Sequence, residues 1–469
     1  MFRVGLITFI ILSIFSCRPE KFFKGSTNLQ FSEWDDYTLD TLSFDTVFTL
    51  EPGTNNPISV TQKFWVKNNE KSTVTADFQL MGGTASPFKF SINGRQGNLI
   101  NSVEIPAGDS VWGFVQCSLR PNNQTMPALV LDSIIARVGG GESKMYLEAY
   151  GWDAHYFRNA ELPCGTVWAD KVKPYVIVNS ALVKANCNFT IREGVQVYNS
   201  PRSALFVEGT LKIEGTPSER VTFTGARPRF DVMKLPNQWV GIHVLRNSIN
   251  SKIAYADINN SAIGIRVDSL PVSGAFNLEL ENTKIKYTGQ VALLGVSANI
   301  KATNCEITDA GSYSFLGLLG GSYDFNHCTF ASYASYSTRN DGHFGLTNTL
   351  RDGNGVILRT FPLACIMDNS IVDGPLDDEV DLDNSTLSTF NFTGDANIVK
   401  LKFDRPISST TNFYNVVPKF INSNNGLYQL DTLSPAQNKA KLSSPMVNTD
   451  VLGKLRDVKP DIGAYERFD

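Results

Sequence analysis

Clustered cations, zinc-spaced cysteines and paired histidines are all missing from this chain of 469 residues. Its 42 Lys and Arg are outnumbered by 46 Asp and Glu, for a net charge of −4, and the basic residues form no run. Nucleic acid is therefore not expected as a partner, because phosphate binding needs grouped Lys and Arg to displace counterions. The four histidines, His155, His243, His327 and His343, are scattered, and no Cys-x-x-Cys pair exists. A zinc site would need such spacing, so no metal and no cofactor is expected. A phosphate loop, a nucleophile elbow and a metalloprotease motif are absent too. Beyond the first residues, no stretch is long and apolar enough to span a membrane.

What stands at the N-terminus is an address. Arg3 precedes the apolar run VGLITFIILSIF, followed by Ser16 and Cys17. The run is too short for a spanning helix and fits a secretory signal. The sequence Ile14-Phe15-Ser16-Cys17 resembles a bacterial lipobox, which implies that residues 1–17 are a lipoprotein signal and that Cys17 is acylated. Membrane lipid is then one partner, and the expected location is exported and outer-membrane anchored. The periplasmic and cell-surface faces both stay open, since Glu20 is the one acidic residue close behind the cysteine. Cleavage near Ser16 without acylation would instead leave a secreted soluble chain. Residues 18–36 read as a tether.

Residues 37–155 carry short alternating runs such as TLSFDTVFTL, FKFSING and VEIPAGDSVWGFVQCSL, separated by turn sequences such as KNNEKST and RPNNQ. Regular punctuation without helical periodicity indicates an antiparallel sandwich. Trp112 and Phe114 share one face of their strand by period-two geometry and read as core. Cys117 reads as a buried thiol. The phrases FSINGRQGN, VEIPAGDSVWGFVQC and LEAYGWDAHY resemble the immunoglobulin-like modules of bacterial surface lipoproteins.

From about residue 160 the texture changes. Apolar residues fall on odd numbers, at Phe189, Ile191, Val195, Val197, Leu205, Val207, Leu211, Ile213, Val221 and Phe223, straight through Gly194, Gly209 and Gly215. Strands that keep bending in one sense wind into a coil. Ile258, Ile285, Ile307, Phe330 and Ile371 then close similar segments, three of them at twenty-odd residues apart, with Asn282, Asn304, His327 or Asp368 three residues before the last four. Self-similarity at that period is a solenoid signature. Strand-rich repeats with no helical half select a parallel β-helix over residues 160–440. Asn282 and Asn304 fit a polar ladder along the bends. Cys164 and Cys187 share the spacing of Cys305 and Cys328, equal to one repeat. A bridge is expected for the first pair, while bridge and stacked free thiols both stand for the second. TVWADKVKPYVI, QWVGIHV, GGSYDFNHCTFASY and DIGAYE resemble bacterial β-helix lipoproteins of the pectate-lyase-like fold. The resemblance implies an all-β chain, a sandwich followed by a right-handed single-stranded parallel β-helix, with residues 441–469 as a C-terminal cap.

Two stretches offer chemistry. The acidic run holds Asp373, Asp377, Asp378, Glu379, Asp381 and Asp383. It could supply paired carboxylates for glycoside hydrolysis or oxygen ligands for calcium. Of the dispersed motifs that mark the hydrolases of this fold it offers the adjacent Asp pair alone, so a solvated acidic turn is the expectation. The second stretch is an insertion at about 331–355. Its Tyr333, Tyr336, Arg339, Asp341, His343 and Arg351 form the candidate binding set, because long excursions from a solenoid carry function and aromatic rings suit sugars. Trp168, Trp239 and Tyr175 invite the same reading, and Trp239, just before VGIHV on a strand, fits a plug of the coil at least as well. No catalytic residue is assigned. The expected function is a non-catalytic binding or structural module of the cell envelope, with a glycan or a surface protein as candidate partner. A polysaccharide lyase or glycoside hydrolase is the alternative.

Overall fold

The computed structural model describes residues 21–32, 39–51, 61–226, 233–268, 275–333, 336–402, 409 and 411–467. Cys17 lies outside them. The chain is all-β; among the described residues the non-strand elements are short 3-10 turns, such as Gly83–Ala85. Two compact units divide it, Met1–Asp153 and Ala154–Asp469.

The first unit is an immunoglobulin-like sandwich, with two five-stranded sheets among the described residues. One orders Gln30–Ser32, Thr61–Lys67, Ser110–Cys117, Phe88–Ile92 and Arg95–Gln96. The other orders Thr41–Phe48, Gly141–Trp152, Ala128–Val138, Val74–Leu80 and Leu99–Ile105. Phe44, Phe64, Phe78, Phe88 and Phe90 fill the space between. Three expectations need correction here. The sandwich is not wholly antiparallel, because Gly141–Trp152 pairs parallel with Thr41–Phe48. The stretch read as a tether already belongs to it: Phe22 bridges Thr73, and Gln30–Ser32 pairs with Thr61–Lys67.

Trp112 and Phe114 are not core. They are 50% and 41% exposed, while Val111, Val115 and Cys117 of the same strand point inward. The phase is set by Gly113, which sits opposite Phe64. A Cβ at Gly113 would lie 2.3 Å from the Phe64 ring, so only glycine leaves that ring its place. Once one residue is fixed inward, every neighbour follows by alternation. Cys117 is buried, and burial pushes its thiol up to about 12.

The second unit is the parallel β-helix. Tyr175, Val197, Phe223, Ile258, Ile285, Ile307, Phe330, Val372 and Val399 stand directly over one another in successive parallel strands. A second inner row runs Ile213, Ile253, Leu280, Ala302, Phe325 and Met367. A third runs Leu205, Ile242, Ile265, Leu293, Phe315, Phe344 and Val380. The odd-numbered pattern of residues 189–223 is thus the inward half of each coil. Each buried Ile or Phe contributes roughly 1.5–3 kcal/mol. Trp168 and Trp239 are buried too; Trp168 stacks on Tyr175 at 4.5 Å and the Trp239 indole N–H donates to Asn259 O. They plug the coil.

One corner repeats through six coils. Tyr255, Asn282, Asn304, His327, Asn369 and Ala396 hold φ between 50° and 55°. Asn and His are enriched in this left-handed region, which explains the recurring residue type. The register also corrects the last repeat: Val372, not Ile371, lies over Phe330, so Asn369 rather than Asp368 takes the corner. The polar residues do not form an axial ladder of their own. Asn304 donates to Thr449 O at 2.5 Å, Asn369 to Lys441 O at 2.9 Å, and Asn282 to Asp450 O.

Those carbonyls belong to the closing segment, which therefore does not sit over the end of the stack as a cap. It lies along the flank. The amides of the three corner asparagines, Asn282, Asn304 and Asn369, need acceptors, and residues 441–450 supply them. Tyr428, Val451, Ala464 and Tyr465 bury Ala331 beneath the segment, while Leu430, Ala436 and Ile462 bury Ile371 and Ile398. Cys164 and Cys187 form a disulfide. Cys305 and Cys328 are buried free thiols.

Candidate functional site

The two stretches singled out in the sequence meet. Glu379 of the acidic run is fully buried, and Arg339 of the insertion reaches it at 2.9 Å. Arg339 also donates to the carbonyls of Ser332 and Asp341. Tyr333 donates to the Asp373 carboxylate at 2.5 Å, and the His343 ring nitrogen Nε2 lies 3.0 Å from Asp373 O. Arg351 holds Asp383 through two contacts, at 2.9 and 2.6 Å. Tyr313, from the coil itself, donates to Asp381 at 2.9 Å. The acidic run is therefore no solvated turn. It is the ledge on which the insertion is clasped.

That clasp changes the reading of the candidate set. Tyr336 uses its hydroxyl on the carbonyls of Thr288 and Asp309. Asp341 is exposed, and the His343 imidazole faces Asp373 and Glu379. Burial and the nearby Arg339 cation push His343 down to about 3, so it is neutral at physiological pH. Burial raises Asp373 to about 6. Arg351 does line an open depression of about 310 Å³, with Tyr313, Leu346 and Asp381. The other members are mostly consumed in holding the insertion down.

A second polar group lies under the closing segment. Glu306 is buried between Lys286 at 2.8 Å and Lys284 at 3.8 Å, and the Tyr465 hydroxyl donates to it. Asp309 accepts from Tyr428, while Lys286 also donates to Gly426 O at 2.7 Å. Burial pushes Asp309 up to about 6 despite the pull of Lys286. Carboxylates, lysines and tyrosines at such distances suit proton transfer, but residues 426–428 and 465 cover them. Their present work is to fasten the segment.

An open groove of about 620 Å³ lies beside the corner row. Its floor is the outward half of one face: Glu281, Thr303, Asn326 and Asp368 stand in one file, with Lys301 and Asp324 in the next. Its wall is the segment from Lys441 to Val447. The rungs repeat at about 4.8 Å, so the floor presents donors and acceptors at regular intervals. Burial raises the Asp324 carboxyl above its ordinary value; Lys301 pulls it back and Asp368 adds to the rise. The sequence held a signal for this file. Each of its members lies four residues before an inward anchor, Ile285, Ile307, Phe330 or Val372. Misplacing the last anchor hid it. No group of three or more metal-binding side chains occurs among the described residues.

No family model and no curated protein matches the chain. Among solved structures, a family 123 glycoside hydrolase from Clostridium perfringens is similar at 10% identity and TM-score 0.20, over 30% of either chain. The PapD-like domain 7 of human CEP192 matches at 10% identity and TM-score 0.18, over 30% of this chain and 94% of that one. The CooA pilin subunit of enterotoxigenic Escherichia coli matches at 13% identity and TM-score 0.19, over 26% and 96%. At scores this low none of them bears on what this chain does.

Proposed function

We propose that the chain is a non-catalytic lipoprotein of the cell envelope whose β-helix binds a glycan along the open groove. The observation that carries this reading is the floor itself. Glu281, Thr303, Asn326 and Asp368 stand in a straight file, rung after rung, in a groove long enough to cross several coils, and offer the polar atoms that Lys252, Asn369 and the Asp395 amide do not already hold. A chain of sugars presents hydroxyls in the same repetitive way. Acidic and basic lining residues are mixed, with Glu281, Asp324 and Asp368 against Lys301 and Lys441, which suits a neutral polymer. Anchoring through Cys17 would hold the groove at a membrane surface. A Cys17→Ser variant is expected to lose incorporation of labelled palmitate.

A catalytic reading has one observation in its favour. Asp324 is a carboxyl with a raised pKa beside Asp368, the kind of pair in which one member donates a proton and the other acts as base. One experiment separates the two. A glycan array and a depolymerisation assay are run on the same panel, with the wild type and an Asn326→Ala/Asp368→Ala variant. Binding without cleavage, weakened several-fold in the variant, is the expected result. Release of reducing or unsaturated ends would establish the enzyme instead.

A further inference from the structure

The first unit carries a surface of a different kind. On the sheet that begins with Gln30–Ser32, the outward residues include Trp65, Trp112 and Phe114. Trp65 and Trp112 face each other across neighbouring strands, with ring centroids 5.6 Å apart and planes 12° from parallel. Phe114 continues the row 5.8 Å from Trp112. Lys63 rests its ammonium 4.3 Å from the Trp65 ring and 4.8 Å from the Trp112 ring.

Charge on this face is one-sided. The five strands, QFS, TQKFWVK, SVWGFVQC, FKFSI and RQ, hold Lys63, Lys67, Lys89 and Arg95 but no Asp or Glu. The opposite sheet carries Asp45, Asp77, Glu104, Asp132, Glu142 and Glu148 in its strands against two cations, Arg137 and Lys144. In a chain of net charge −4, this segregation is not a consequence of composition. A hydrophobic core does not need it either, since the side chains concerned point away from the core. Trp112, half exposed, is a costly residue to leave in water without an occupant.

We propose that this face is a binding site for an acidic polysaccharide, one whose sugar rings bear carboxylates. The indole pair offers flat apolar area to the C–H face of a sugar ring. Lys63 stands over that area and can turn to meet the carboxylate, and Lys89 and Arg95 extend the same charge over the neighbouring strands. Stacking alone would accept any sugar; the one-sided charge selects the acidic ones. The site lies in the other unit from the β-helix groove and does not depend on it.

Affinity electrophoresis of the full chain tests this, with polygalacturonate and alginate as acidic polymers and dextran as the neutral one. Wild type is expected to be retarded by the polyuronates and not by dextran. Trp112→Ala should weaken that binding roughly tenfold. Lys63→Gln should weaken it less and flatten its salt dependence. Tyr146→Ala, exposed on the opposite sheet, and the groove variant Asn326→Ala/Asp368→Ala should leave it unchanged. Circular dichroism checks that each variant is folded. The proposal is overturned if no polyuronate binds, if Trp112→Ala binds as wild type does, or if the groove variant alone abolishes binding. Binding instead to phosphatidylglycerol vesicles or to oligothymidylate, with polyuronates inert, would assign the face to a membrane or to nucleic acid and overturn it equally.

Discussion

Asp309 shows how far a single residue's state is set by what covers it. Its carboxyl is enclosed by Lys286, Glu306 and the Tyr428 hydroxyl, with Lys234 further off, and one of its oxygens lacks a hydrogen bond. Burial holds it at about 6, against an ordinary 3.8. Between those values the folded chain keeps a proton that the unfolded chain has released. Stability from this group is therefore greatest at low pH and is lost as pH rises through about 4 to 6. Glu306 works in the opposite sense: although burial would raise it, Lys286 and Lys284 hold it below 4.5, so its contribution fades only on further acidification. Asp309→Asn keeps the acceptor for Tyr428, tolerates the left-handed backbone at φ 52°, and removes the charge. It is expected to stabilise the chain by about 1–3 kcal/mol at pH 7 and to reduce the pH slope between 4 and 6. Denaturant titrations at pH 4, 6 and 7 measure both. An unchanged slope would show that Asp309 is not the group responsible.

At the scale of elements, the insertion behaves as a clasped arm. Arg339 and Glu379 are almost wholly removed from solvent. Breaking such a pair from one side strands a buried charge, at a cost of about 3–5 kcal/mol, whereas replacing both partners by apolar residues is far milder. Arg339→Met is expected to show the full loss in urea midpoint, and Arg339→Met/Glu379→Leu to recover most of it. A double variant as damaged as the single would mean that the guanidinium matters for its bonds to Ser332 and Asp341 rather than for its charge. This clasp was only half legible in the chain. The residue types were visible in both stretches, but their pairing depends on a fold-back across forty residues that no local pattern encodes. The inner rows, by contrast, could be read directly, because the spacing of Ile285, Ile307 and Phe330 is itself the rung geometry. Trp112 and Phe114 mark the limit of that logic. Alternation gave their common face but not which face it was; that rested on Gly113 making room for Phe64 across the sheet.

Over the β-helix as a whole, stability comes from neighbour upon neighbour, and a solenoid so built can open locally. The closing segment works against this by tying separate coils together. Arg456 braces it: within the segment it pairs with the buried Glu466 at 2.9 Å and donates to Gly463 O at 2.9 Å and Thr449 O at 3.2 Å, and its bond to Asn304 Oδ1 at 2.9 Å ties the segment to a coil. Nearby, Arg220 donates to Val451 O and to Asn282 O, joining the segment to earlier coils. Arg456→Met would leave Glu466 without its cation and Asn304 without one partner, a loss of about 3–5 kcal/mol. The damage should be regional. Hydrogen exchange is expected to quicken at the corner residues Asn282, Asn304 and His327 and along 449–466, where Val451 N and Gly463 N bond to Ala464 O and Asn369 O. The early rungs at 189–213, paired through Phe189–Leu211 and Ile191–Ile213, should keep their protection. Uniform loss of protection through all rungs would mean that the β-helix opens as one cooperative block and that the segment along its flank is no local fastening.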